Sequence, residues 1–192
     1  MNENFFDMKK EKQDRIINGL LKGFGTYDYA HASTDEMVKA AGISKGLLFH
    51  YFGNKMGAYG FVYDYILRFW KMEQSEAVRE EKSFMGYLEK REIARMKMLN
   101  SYPFWNLFIE KCEEEKNPQA RQTVASFRKE MQESMEYPAD FPLGNPQTLQ
   151  TMEYCIRGIL HKHDRELLLE KEPDTERTCE ELLGCLRLLY RE

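Results

Sequence analysis

Several features that would indicate a fibrous, membrane-spanning or exported protein are missing from this 192-residue sequence. It contains only 12 glycines and 6 prolines, too few for a collagen-like or low-complexity chain. No run of 18 apolar residues occurs, which argues against a transmembrane helix. The first residues, MNENFFDMKKEK, carry acidic and lysine side chains where a signal peptide would have an apolar core. We therefore expect a cytoplasmic protein.

The sequence also lacks the motifs of common enzyme and metal sites. It has no HExxH, no GxSxG and no GxxxxGK[ST]. His161 and His163 are two residues apart, so on a helix they point about 200° from one another and do not readily share a metal. We therefore predict no catalytic residue, no metal site and no cofactor. A helical enzyme and a pure interaction protein are the weaker alternatives.

The four cysteines do not form a CxxC motif. Each lies in an apolar helical pattern, where a free cysteine behaves as a small buried hydrophobe. The pattern favours buried thiols over a disulfide or a redox switch at these positions: Cys112, Cys155, Cys179 and Cys185.

What the sequence does contain is helical periodicity. Hydrophobic residues make up 42% and charged residues 31%, a balance that favours a folded core. Apolar residues recur three and four apart, as at Ile16, Leu20 and Phe24, and no segment alternates with period two. We predict an all-α fold of about nine helices. The chain is long enough for one large domain or two small ones.

Residues 33–52 have the pattern of two short helices joined by a tight turn. Ser33 can cap the first helix, and Gly42 suits the left-handed position that ends it. Ser44 can cap a second helix at once. Two short helices around a glycine-containing turn are typical of a helix-turn-helix.

The run AAGISKGLLFHYFGNK, residues 40–55, resembles the signature of TetR (tetracycline repressor) family transcription regulators. The resemblance implies a helix-turn-helix DNA-binding domain over residues 9–69 and an effector-binding and dimerisation domain over residues 70–192. It implies a ligand-responsive, sequence-specific regulator. We favour a repressor released from a palindromic operator when a small lipophilic or aromatic effector binds, with an activator or a corepressor-dependent regulator as the alternative.

The resemblance also implies which residues contact double-stranded DNA. Ser33 and Thr34 would hold a phosphate at a helix N-terminus, and Lys55 would neutralise another. Gly46 would allow close approach of the backbone in the major groove. The predicted DNA-binding residues are Ser33, Thr34, Ser44, Lys45, Gly46, Phe49, His50, Tyr51 and Lys55.

The sequence departs from the family pattern at three places, one of which is Gly57-Ala58, where bulkier residues are usual. Leu47 replaces a threonine that touches phosphate in many members, so that contact is not expected here. Asp28 stands where the family usually has glycine, and we expect it to adopt a left-handed turn, which aspartate tolerates.

Residues 1–70 carry nine basic and eight acidic side chains, so the acidic excess of the chain lies in the remainder.

The C-terminal part is expected to bind an unknown small-molecule effector and a second copy of the chain, with no membrane partner. Its aromatic and methionine residues suit a lipophilic pocket, and an apolar stripe on each of the last two helices suits a homodimer. The predicted effector-binding residues are Phe69, Trp70, Met96, Trp105, Phe108, Phe127 and Met131. The predicted dimer-interface residues are Met152, Ile156, Ile159, Leu182, Leu186 and Leu189.

Overall fold

A computed structural model of the protein describes residues 5–136 and 145–190. Over these ranges the chain forms nine helices and no strand, which confirms the predicted all-α class. The helices are α1 (Lys10–Thr26), α2 (Thr34–Ala41), α3 (Lys45–Phe52), α4 (Lys55–Val78), α5 (Phe84–Ser101), α6 (Trp105–Glu114), α7 (Pro118–Met135), α8 (Pro146–Leu168) and α9 (Thr175–Leu189).

The chain folds as two compact units. The first comprises Met1–Arg68 and Ser101–Glu133, and the second comprises Phe69–Asn100 and Ser134–Glu192. The boundary after Arg68 lies one residue from the end of the DNA-binding domain predicted at residue 69. The prediction placed residues 101–133 in the C-terminal domain, whereas in the structure they belong to the same compact unit as the N-terminal helices.

Aromatic packing explains why α6 belongs to the first unit. Phe108 of α6 is fully buried against α4, with its ring centroid 5.8 Å from that of Tyr59 and 5.6 Å from that of Tyr63. Phe24 of α1 lies 5.0 Å from Tyr59 in an edge-to-face contact. Such aromatic pairs add to the free energy gained from burial alone. The core of this unit therefore depends on residues from both parts of the chain.

Glycines in α1 allow its neighbours to approach closely. A Cβ atom at Gly19 would lie 2.8 Å from the carbonyl oxygen of Met37 in α2, and one at Gly23 would overlap the Met37 side chain. A Cβ at Gly25 would lie 3.1 Å from the backbone nitrogen of Phe108 in α6. The glycine-rich stretch of α1 thus serves helix packing, which bare Cα atoms permit at short range.

The second unit buries an ion cluster on α5. The Glu92 carboxylate is inaccessible to solvent and lies 2.7 Å from Nε of Arg95 and 3.3 Å from Nε of Arg91. The Arg95 guanidinium also stacks over the Trp70 ring, 5.6 Å from its centroid. Buried charges of this kind require partners, because an isolated charge in an apolar interior is very costly.

The four cysteines are all reduced, but only Cys112 is fully buried. Its sulfur accepts a hydrogen bond from the Tyr59 hydroxyl at 3.1 Å. Cys155, Cys179 and Cys185 are half-buried, so the predicted burial is confirmed for one thiol and overestimated for three.

Candidate nucleic-acid interface

The helix-turn-helix is built from local caps, as its sequence predicts. The Ser33 hydroxyl accepts a hydrogen bond from the backbone N–H of Glu36 at 3.4 Å, and Ser44 accepts one from that of Leu47 at 3.1 Å. Gly42 ends α2 in the left-handed region with φ of +64°. These contacts satisfy amide groups that the first turn of a helix leaves unpaired.

The helix α3 presents one side to the core and another to solvent. Leu48 and Phe52 are buried in the first unit, whereas Lys45, Gly46 and His50 are exposed. A Cβ atom at Gly46 would meet nothing closer than the Ser44 hydroxyl at 4.0 Å, so the backbone is accessible there. The other predicted DNA contacts are exposed or half-buried, namely Ser33, Thr34, Ser44, Phe49, Tyr51 and Lys55.

Lys45, the first residue of α3, already has an anionic partner. Its ammonium group lies 2.9 and 3.2 Å from the two carboxylate oxygens of Asp35 in the first turn of α2. Both side chains are exposed, so the attraction is weakened by solvent. A phosphate or base that bound Lys45 would have to displace this carboxylate.

Lys55 fixes the start of α4 to the turn between α1 and α2. Its ammonium group lies 4.6 Å from the centre of the Tyr29 ring and donates to the carbonyl oxygen of Ala30 at 3.4 Å. Partial burial lowers the pKa of Lys55, although Asp28 and Glu115 nearby oppose that shift. Lys55 therefore has a structural role in the first unit, beside the phosphate contact that the sequence predicts.

Asp28 does not adopt the left-handed turn expected of it. Among the described residues, positive φ values occur only at Gly42, Gly53 and Glu170. Asp28 instead accepts a hydrogen bond from the backbone N–H of His31 at 2.9 Å and pairs with the His31 ring at 2.7 Å. The hydrogen bonds from His31 lower the pKa of Asp28. A side-chain acceptor thus shapes a turn for which the family usually employs glycine.

An N-terminal aromatic residue supports the end of α3, and the sequence interpretation did not include it. The Phe5 ring is buried and lies 4.9 Å from Phe61 of α4 and 5.9 Å from Tyr51. Gln13 holds this segment by donating to the carbonyl oxygens of Phe6 and Met8 at 3.1 and 2.8 Å. The two adjacent phenylalanines in an otherwise polar stretch were the available signal.

The seven predicted effector-binding residues fall into both units. Trp105, Phe108, Phe127 and Met131 belong to the first, whereas Phe69, Trp70 and Met96 belong to the second. All are buried except Phe69 and Phe127, which are half-buried.

A groove of about 460 Å³ lies in the first unit, and Phe127 is the one predicted effector residue that lines it. The groove runs beside the end of α3, and Asp64 provides its charged lining group. That carboxylate is paired with Arg68 at 2.8 Å. The lining residues are Tyr51, Phe52, Gly53, Gly57, Gly60, Phe61, Asp64 and Phe127.

Four of the six residues predicted for the dimer interface face the interior of the second unit. Met152, Ile156, Leu182 and Leu186 are buried there, while Ile159 and Leu189 are half-buried. The outer side of α8 and α9 instead exposes Tyr154 and Leu188, at 65% and 69%. Cβ atoms at Gly158 and Gly184 would meet nothing within 4 Å, so the backbone of both helices is open there.

Each helix in the described ranges is too short or too polar to span a bilayer. Within the same ranges, no group of three or more histidine, cysteine or acidic side chains is arranged to hold a metal ion.

Residues 16–57, which include the whole helix-turn-helix, match the family model described as "Bacterial regulatory proteins, tetR family". This segment is therefore similar to the TetR family. Every predicted DNA-binding residue, from Ser33 to Lys55, lies inside the matched segment. The first unit therefore contains a helix-turn-helix of the kind found in bacterial regulatory proteins.

The TetR fold extends beyond this segment. The TetR-family regulator PfmR from Thermus thermophilus aligns over 92% of this chain and 100% of its own, with a TM-score of 0.55 and 19% identity. A TetR-family regulator from Marinobacter aquaeolei aligns over 93% and 97%, with a TM-score of 0.51 and 14% identity. These structural alignments show a shared fold. No curated protein matches the chain.

Proposed function

We propose that this protein is a TetR-family repressor that binds a palindromic operator as a homodimer and is released by a small lipophilic or aromatic effector. The observation that carries the proposal is the solvent-exposed side of α3, where Lys45, Gly46 and His50 lie together. A helix that enters the major groove reads base edges through residues near its N-terminus.

The proposed DNA contacts are of two kinds: phosphate contacts that position the protein on the duplex and base contacts that read its sequence. Ser33, Thr34 and Lys55 lie at or beside the N-termini of α2 and α4, where free amide groups and the helix dipole favour a phosphate. Lys45 and His50 are the candidates for base contacts, since Lys commonly donates to guanine in the major groove. Phe49 lacks a hydroxyl and is limited to packing against sugar or a thymine methyl group.

A second copy of the chain would bring two recognition helices to half-sites about 34–36 Å apart, one turn of DNA. The outer side of α8 and α9 supports this part of the proposal, because Leu188 and Tyr154 are exposed apolar side chains beside the open glycines 158 and 184. Ile159 and Leu189, half-buried, border the same side.

The effector class rests on the aromatic and methionine content of the chain. A groove of about 460 Å³ is within the usual range for a small-molecule site. Its rings, from Tyr51, Phe61 and Phe127, suit a lipophilic ligand, and Tyr51 belongs to the proposed DNA surface. An effector that binds the DNA-bound and free states unequally would shift the equilibrium between them.

The test is selection of bound fragments from random duplex DNA, followed by affinity measurements at increasing salt. We expect a palindrome, an affinity that falls steeply with salt, and a loss of binding in Lys45→Ala. Lys129→Ala on α7 removes the same charge from an exposed lysine away from the helix-turn-helix and serves as the control. Selection of no motif by folded protein at low salt would contradict the proposal.

The alternative is an activator or a corepressor-dependent regulator on the same fold. Reporter expression from the selected operator distinguishes them: deletion of the protein raises expression for a repressor and lowers it for an activator. Binding that appears only after a cell extract of small molecules is added would indicate a corepressor.

A further inference from the structure

The groove beside the end of α3 has an aromatic lining that packing within the first unit holds in place. The Phe61 ring lies 4.8 Å from that of Phe52 and 4.9 Å from that of Phe5. The Phe127 ring stacks on Tyr63, with the two centroids 6.2 Å apart. Because neighbouring rings already order this lining, a ligand gains contact with it at a small entropic cost.

A carboxylate lies among these rings. Asp64 of α4 lines the groove, and only 12% of its side chain is exposed. The carboxylate accepts a hydrogen bond from Nε of Arg68, one helical turn further along, at 2.8 Å. The Arg68 side chain, in contrast, is 75% exposed. The anion of this pair is therefore fixed in the wall of the groove, whereas its cation lies largely in solvent.

This ion pair can be exchanged for one with a ligand. A pair with one partner in solvent contributes little to stability, so the Arg68 guanidinium can leave at small cost. A cation in the groove would gain the Asp64 carboxylate and also the faces of the Phe61 and Phe127 rings, which attract positive charge. An anion would be repelled by the same carboxylate. The groove is therefore complementary to an apolar ligand that carries one positive charge.

We propose that this groove binds a lipophilic amine in its protonated form, with Asp64 as the counter-ion. The ammonium group takes the place of the Arg68 guanidinium and donates an N–H to the Asp64 carboxylate, while the apolar part of the ligand packs against the rings. A charge-assisted hydrogen bond to a largely buried carboxylate provides the selectivity for an amine over a neutral ligand of the same shape.

The amine class deepens the effector part of the proposed function, on which it rests for any consequence at the operator. Tyr51 lines the groove and also belongs to the proposed DNA surface. A bound amine that contacts Tyr51 would therefore compete with DNA for this side chain. Amine binding itself needs no DNA and can be measured on the protein alone.

The experiment is equilibrium dialysis of the full-length protein, without DNA, against three indole probes of similar size: the cation tryptamine, the neutral alcohol tryptophol and the anion indoleacetate. We expect tryptamine to bind about tenfold more tightly than tryptophol, and indoleacetate to bind most weakly. Asp64→Asn should remove the preference for tryptamine and leave the affinity for tryptophol unchanged. Arg68→Ala should raise the affinity for tryptamine by roughly two- to fivefold, because it removes the competing cation.

Arg177→Ala and Glu181→Gln are the matched controls, because they disrupt a pair on α9 with the same four-residue spacing and an exposed arginine. Both should leave the three affinities unchanged, and circular dichroism verifies that all variants are folded. The proposal is overturned if no probe binds, if tryptophol or indoleacetate binds as tightly as tryptamine, or if Asp64→Asn retains the preference.

The same protein in the DNA selection separates this inference from the repressor function. Selective binding of tryptamine by a protein that selects no operator supports the amine site and contradicts the repressor function. Binding of an operator by a protein that does not bind tryptamine does the reverse.

Discussion

The carboxylate of Asp35 is paired with Lys45, which we propose contacts DNA. Asp35→Asn should therefore increase the affinity for DNA. The substitution releases Lys45 from contacts of 2.9 and 3.2 Å and removes a negative charge from the DNA-facing side. Because exposed ion pairs contribute about 0–1 kcal/mol, we expect a gain of up to roughly fivefold in affinity. Fluorescence anisotropy with the selected operator at several salt concentrations measures it.

Glu36→Gln is the matched control for Asp35→Asn. Glu36 follows Asp35 in α2 and is exposed, and its substitution changes the net charge by the same amount. We expect a smaller gain from it. Equal gains in both variants would mean that Asp35 acts through general charge repulsion rather than through Lys45.

The buried carboxylate of Glu92 is expected to stabilise the second unit strongly. Glu92→Gln would leave Arg91 and Arg95 without their anion, and breaking a buried ion pair in this way costs about 3–5 kcal/mol. Glu89→Gln, which disrupts an exposed pair with Arg187, should cost no more than about 1 kcal/mol. Urea denaturation measures both, and equal losses would contradict the assigned role.

The same residue predicts a pH dependence. Burial by itself would raise the pKa of Glu92, but the adjacent Arg95 and Arg91 outweigh it and hold the pKa below its ordinary value. A carboxylate with a lowered pKa stabilises the fold above its unfolded pKa, about 4.3, and this stabilisation is lost as the pH falls through the folded value. The stability difference between wild type and Glu92→Gln should therefore be full at about pH 7 and shrink below about pH 4. A stability difference between wild type and Glu92→Gln that stays constant with pH would contradict this prediction.

At the scale of the element, the sequence predicted what depends on neighbours along the chain. Ser33, Gly42 and Ser44 define α2 and α3 through contacts within three or four residues, and all three act as expected. Contacts between segments that are distant along the chain could not be predicted from such local patterns. The packing of Phe5 on Phe61 is one example, because nothing in either local pattern specifies the partner.

The glycines of α1 give a test at this scale. Gly19→Ala would place a methyl group 2.8 Å from the carbonyl oxygen of Met37 and 2.9 Å from the Cβ of Ala41, so α1 and α2 must separate. We expect a loss of about 1–3 kcal/mol in the free energy of unfolding, despite the better helix propensity of alanine. Gly46→Ala in α3, whose methyl group would meet nothing closer than the Ser44 hydroxyl at 4.0 Å, should instead be neutral or stabilising by up to about 1 kcal/mol. Urea denaturation at one protein concentration compares them, and a stabilised Gly19→Ala would contradict the tight packing.

For the whole molecule, an apolar stripe alone does not distinguish a helix side that packs within its own chain from one that packs against a partner. The stripe containing Leu182 and Leu186 is used inside the second unit, where both residues are buried. Leu168 and Leu169 are exposed at the end of α8, whereas Tyr154 and Leu188 are single exposed residues on the other side of α8 and α9, where no apolar periodicity marks them. We therefore assign the proposed dimer contact to this outer side.

Leu188→Glu tests the assignment. Leu188 is 69% exposed in the single chain, so the substitution should leave the fold intact while placing a charge where a second copy would pack. We expect a monomer in analytical ultracentrifugation and a loss of affinity for the full palindrome, because one chain reaches one half-site. Ile93→Glu, at the exposed apolar residue of α5, should leave both the assembly and the affinity unchanged. A dimeric Leu188→Glu with full operator affinity would exclude α9 from the interface, and a monomeric Ile93→Glu would transfer the contact to α5.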